Sequence, residues 1–174
     1  MMASLQGNLL SIDPSFRSTG LCYYFRDTDQ FSFGRIGWES TFRKHFIDMY
    51  EIADIVSSDV LTFFKKTSSS EVVLESPPPR SAFSAGMYML CTKMVEKLYP
   101  WASKIYISPP AMGRVLFITR KWTKTDSVNI VKTVLNVRVA SDEADAFIQA
   151  IPLLPKTYSN LAGIKREVEY ERLK

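Results

Sequence analysis

Apolar residues in this chain gather in short runs near its start and recur at helical spacing further on. Asn8-Leu9-Leu10-Ser11-Ile12-Asp13 is a nearly unbroken apolar run closed by an acid, the pattern of a strand buried on both faces. Gly20 to Phe25 and Gln30 to Gly37 read as two more strands, with Asp27-Thr28-Asp29 as the hairpin connection. From His45 to Lys66 the residues Phe46, Met49, Ile52, Ala53, Val56, Val60, Leu61 and Phe64 keep the period of an amphipathic helix. A Ser-rich loop, Thr67 to Ser70, leads to a strand over Glu71 to Glu75, and Pro77-Pro78-Pro79 can continue neither strand nor helix. Ser84 to Tyr99 predicts a second long helix, Lys104 to Ser108 a short strand and Ala111 to Leu116 a brief helix. Thr119 to Thr125 reads as an exposed basic loop before a helix over Asp126 to Leu135. The last strong helix opens near Ser141, a candidate cap, with Asp142 and Glu143 in its first turn and Pro152 and Pro155 at its end.

This order of elements predicts an α/β fold: a mixed central β-sheet with α-helices on both faces. The expected domain is residues 1–155, with 156–174 as a charged tail or short helix of the same domain, alternating charges around Leu161, Ile164 and Val168. A chain of 174 residues is long enough for one sizeable core, and 46% hydrophobic with 23% charged residues is ordinary for a globular protein. No signal-like N-terminus or membrane-length apolar run appears, and Cys22 and Cys91 sit singly in apolar stretches. The expected setting is therefore a reducing cytoplasm rather than secretion or a membrane. A net charge of +4 is mild, but from residue 114 to 138 Arg114, Arg120, Lys121, Lys124, Lys132 and Arg138 face only Asp126. That local excess points to phosphate more sharply than the total does.

The chemistry lies in Asp13, Glu75, Asp142 and Asp145. Two carboxylates end apolar strands, and two stand three residues apart on one helix face. Converging acids raise one another's pKa unless a cation sits among them, and oxygen-only donors favour Mg²⁺ or Mn²⁺ over zinc. Each acid also has an ordinary role open to it: Asp-Pro turns are common, and acids suit helix N-termini. Lone His45, at a helix start, is expected to be structural.

The segment Leu10-Ser11-Ile12-Asp13-Pro14-Ser15-Phe16-Arg17-Ser18-Thr19-Gly20 resembles the opening signature of RuvC-type Holliday junction resolvases, nucleases of the RNase H-like superfamily. Val72-Val73-Leu74-Glu75 is similar to their second signature, and Ser141-Asp142-Glu143-Ala144-Asp145-Ala146 to their third. Lys124 to Lys132 resembles their Lys-led loop and following helix, so the motifs run in family order from about residue 8 to 151. The compact chain is closest in character to phage-encoded members. The resemblance implies a homodimer that binds four-way DNA junctions and cuts two strands symmetrically. It also implies two Mg²⁺ or Mn²⁺ ions per site, held by Asp13, Glu75, Asp142 and Asp145 with Lys124 in support. A less selective fork or flap nuclease, or a non-catalytic junction-binding dimer, is the alternative. The family's aromatic wedge after the catalytic Glu is replaced by Pro77-Pro78-Pro79-Arg80, with Phe83 the nearest aromatic. Its second basic residue falls at Arg114, Arg120 or Lys121, and Trp122 within the basic loop suits stacking on a base.

Overall fold

A computed structural model describes residues 7–37, 49–77 and 82–173, with the backbone alone for 82–84. Strands β1 (Asn8–Asp13), β2 (Ser18–Phe25) and β3 (Gln30–Gly37) form an antiparallel meander. Helix α1 (Met49–Lys66) crosses to β4 (Ser69–Glu75), and α2 (Ala82–Leu98) to β5 (Lys104–Ser108). Strands β1, β4 and β5 run parallel, as helical crossovers require. Helices α3 (Met112–Phe117), α4 (Lys124–Leu135), α5 (Ser141–Ala150) and α6 (Lys156–Ala162) follow, then β6 (Glu171–Arg172) antiparallel to β5. The sheet order is β3-β2-β1-β4-β5-β6, a mixed six-stranded sheet with helices on both faces, as the pattern predicts.

Strand parity divides the core in two. Leu10, Ile12, Val72 and Leu74 pack under α1 and α2, whereas Leu9 and Val73 pack under α3, α5 and α6. Phe147 and Ile148 of α5 join that second layer, with Phe31 and Phe33 of β3 beside them.

Several boundaries differ from the expectation for local reasons. Ser69 and Ser70 belong to β4 rather than to the loop, because Ser69 already pairs with Asn8. The reversal is confined to Thr67 and Ser68, with Ser68 left-handed at φ 50° and the Thr67 hydroxyl donating to the carbonyls of Phe63 and Phe64. Strand β2 starts at Ser18, which pairs with Gly37. Helix α4 starts at Lys124, inside the predicted loop, because Asp126 accepts from the Thr123 N–H at 2.7 Å and closes the first turn. Ser141 is not the cap of α5. Ala140 holds that position, and Glu143 reaches back to its N–H at 2.7 Å. The tail is neither wholly loose nor only a helix, since its last strand covers the β5 edge. The predicted start of α1 at His45 lies outside the described residues.

Candidate active site

Parity places the first two carboxylates. Asp13 is two residues beyond Ser11 and four beyond Leu9, so it emerges on the face that α5 covers; Glu75 follows Val73 onto the same face. Parallel pairing of β1 and β4 ends with Ile12 beside Leu74, so the two acids leave adjacent strand ends together. Helix α5 supplies the rest, with Asp142 and Asp145 one turn apart on the side toward the sheet.

The helix reaches that position because of Gly20, which pairs with Asp13 across β1 and β2. A Cβ at Gly20 would lie 2.0 Å from the Asp142 carbonyl oxygen and 2.8 Å from the Glu143 nitrogen, both backbone atoms. The start of α5 therefore rests directly on the glycine, and only a residue without a side chain permits it. From sequence Gly20 reads only as the first residue of a strand; in the structure it also sets the depth of α5.

Asp13, Asp142 and Asp145 each offer a carboxylate oxygen within 4.8 Å of the others. Glu75 stands outside that trio and touches Asp13 instead. Each of the four acids also accepts from a donor of the surrounding protein. The Ala111 N–H donates to Glu75 Oε1 at 2.9 Å, and Gln149 Nε2 approaches Asp13 Oδ1 at 3.5 Å. Lys124 Nζ meets Asp142 Oδ1 at 2.6 Å, and the Ser127 hydroxyl donates to Asp145 Oδ1. A cavity of about 110 Å³ opens between Asp13, Glu75, Asp145, Gln149, Gly113 and Trp122.

The electrostatics are those of an excess of negative charge. Burial, then the neighbouring Glu75, Asp145 and Asp142, push Asp13 well above the usual carboxylate range. Burial also raises Glu75 and Asp145, against the opposing hydrogen bonds from Asp13 and Ala111 to the first and from Ser127 to the second. Burial would raise Asp142 too, but Lys124 and Ser141 outweigh it and hold Asp142 below its ordinary value. Lys124 is itself raised by that hydrogen bond and stands two-thirds exposed at the rim. This donor set, hard oxygens with uncompensated charge, fits a divalent cation of the Mg²⁺ or Mn²⁺ kind.

The basic residues fall around this cavity to different degrees. Lys124 joins the cluster, whereas Arg114, Arg120 and Lys121 are exposed along α3 and the segment before α4. Trp122 is half-buried, its ring stacked on Phe117 with centroids 5.0 Å apart and lying over Gly113. Arg80 lies outside the described residues, and of Phe83 only the backbone, in the first turn of α2, is described. Ser127 and Gln149 are site residues that no sequence motif singles out. Gln149 left a signal, a lone amide in the apolar run Phe147-Ile148-Gln149-Ala150-Ile151; Ser127 left none.

No family model matches this sequence, and no curated protein matches it. The fold does have solved counterparts. RuvC of T. thermophilus, in complex with a Holliday junction substrate, aligns at a TM-score of 0.64 with 14% identity, covering 91% of this chain and 98% of that one. A second Thermus thermophilus RuvC structure aligns at 0.59 with 15% identity over the same shares. A Fowlpox virus resolvase with its Holliday junction DNA aligns at 0.48 with 13% identity, covering 82% of this chain and 93% of that one. With so few identical residues the likeness is one of architecture: this chain has the RNase H-like fold of the RuvC resolvases.

Proposed function

We propose that this protein is a divalent-metal-dependent endodeoxyribonuclease that resolves four-way DNA junctions by paired symmetric cuts. The observation that carries the reading is the convergence of Asp13, Asp142 and Asp145 within 4.8 Å, with Glu75 alongside, on the fold of the RuvC resolvases. Asp13, Asp142 and Asp145 would hold one Mg²⁺ or Mn²⁺, and Asp13 with Glu75 a second. When bound, such ions supply Lewis-acid activation of water and neutralise charge on the scissile phosphate.

The chain's own residues do the rest. Lys124, at the rim and paired with Asp142, would offset charge building on a phosphate oxygen. The Ala111 N–H and Gln149 amide keep Glu75 and Asp13 oriented. Arg114, Arg120, Lys121 and Lys124 are the phosphate-contacting residues of this reading, Trp122 lines the cleft, and Arg80 and Phe83 are assigned to DNA contact on the sequence resemblance alone. A junction has two-fold symmetry, so one site per subunit of a homodimer matches paired cuts. A less selective fork or flap nuclease uses the same chemistry. Labelled four-way, flap and linear duplex DNA, each with Mg²⁺, Mn²⁺ or EDTA, separates the readings: the proposal expects metal-dependent cutting of the four-way junction above the others. Equal cutting of flaps would favour the broader nuclease, and no cutting with retained junction binding would favour a non-catalytic binder.

A further inference from the structure

Ser127 is fully buried in the first turns of α4 and has two polar neighbours. Trp122 Nε1 lies 3.1 Å from its oxygen, and its hydroxyl meets Asp145 Oδ1. An indole N–H can only donate, so it occupies a lone pair of Ser127 and leaves that hydroxyl's proton for the carboxylate. The direction of the chain is thereby fixed: Trp122 donates to Ser127, and Ser127 donates to Asp145. Trp122 in turn is held by α3. Its ring lies so close over Gly113 that a Cβ there would come 2.1 Å from Cε2, and it stacks on Phe117 at an interplanar angle of 20°. The Lys124–Asp142 contact at the rim is exposed to solvent, whereas the Ser127 hydroxyl is fully buried between its two partners.

We propose that Ser127, aligned by Trp122, is a positioning residue that fixes the rotation of the Asp145 carboxylate, reserving Oδ1 for the serine and Oδ2 for a cation. The inference rests on the metal-site reading above and deepens it. Partners of this kind, one bond removed from a ligand, change metal affinity by about 10- to 100-fold when deleted. A serine that merely packs the α4–α5 contact would alter folding stability and leave metal affinity unchanged.

The test is Mn²⁺ binding to the full chain by titration calorimetry, beside thermal melting of the same samples in EDTA. Ser127→Ala removes the hydroxyl. Trp122→Phe keeps an aromatic ring on the side of Gly113 and Phe117 and removes the N–H together with part of the indole's area, so its affinity, read beside its melting in EDTA, decides the matter if the alanine variant does not fold. The expected result is a dissociation constant raised about 10- to 100-fold in Ser127→Ala and by a smaller factor in Trp122→Phe. Folded variants that bind Mn²⁺ as wild type does, with only their melting shifted, overturn the positioning role. A wild-type protein that binds no Mn²⁺ overturns the metal site itself, and this inference with it.

Discussion

Asp13 sits where an ionised carboxylate is unwelcome, half-buried at a strand end with Glu75, Asp145 and Asp142 around it. Its raised pKa has a consequence for the metal-free protein. A carboxyl that holds its proton more tightly folded than unfolded leaves stability untouched below the unfolded value near 3.9. Stability then falls as pH rises toward the folded pKa, and the penalty is fully present above it. Asp13→Asn removes that penalty, and the new amide finds carboxylate acceptors on the same side. In EDTA at neutral pH the variant should melt above wild type, by about 2–4 °C for each kcal/mol relieved in a chain of this size. The advantage should shrink as pH falls toward 4. Thermal melts across pH check this; a variant less stable than wild type at pH 7 would show that Asp13 carries no such strain. Added Mn²⁺ should reverse the order, stabilising wild type and not the variant.

At the scale of elements, the site is a contact between two strand ends and one helix, with α4 bracing the outside. The strands were legible because an unbroken apolar run closed by an acid, as in Leu9 to Asp13 and Val72 to Glu75, suits a buried strand end and little else. The acid pair on α5 was legible because spacing of three on a helix is a statement about one face. What stayed hidden depends on packing between distant elements. Gly20 carries its meaning only once α5 lies on it, and Ser127 only once α4 brings it to Asp145. Strand β6 is two charged residues whose pairing with Tyr106 and Ile107 no local pattern announces. Arg120 and Lys121 in the segment before α4 and Lys124 at the start of that helix are exposed, and all three belong to the DNA surface proposed above. Replacing these three with alanine should weaken DNA binding and flatten its salt dependence, by a slope of about 0.9 for each phosphate no longer neutralised. Binding measured against salt concentration checks this, and an unchanged slope would remove the segment from the DNA surface.

For the whole molecule, the sequence suggests more apolar surface on α2 than one core stripe needs, and the structure narrows that surplus. Met87, Leu90, Cys91, Met94 and Leu98 are buried in the chain's own core. Tyr88 remains half-exposed on α2, with Met49 and Tyr50 exposed at the start of α1 and Met49 lying beside Gly86. A homodimer built on this face predicts two subunits by sedimentation at micromolar concentration, and Tyr88→Glu should yield monomers that nick junctions without resolving them. Wild-type monomers that still make paired cuts on junction DNA would defeat that assembly. The central claim is tested most directly by cleavage of a strand-labelled four-way junction in Mg²⁺, with Asp13→Asn and Glu75→Gln beside wild type and junction binding measured in parallel. Wild type should cut two symmetric strands and stop in EDTA, while both variants bind as well or better and cut neither strand. Cleavage at near wild-type rate by either variant, or undiminished cleavage in EDTA, would contradict the account.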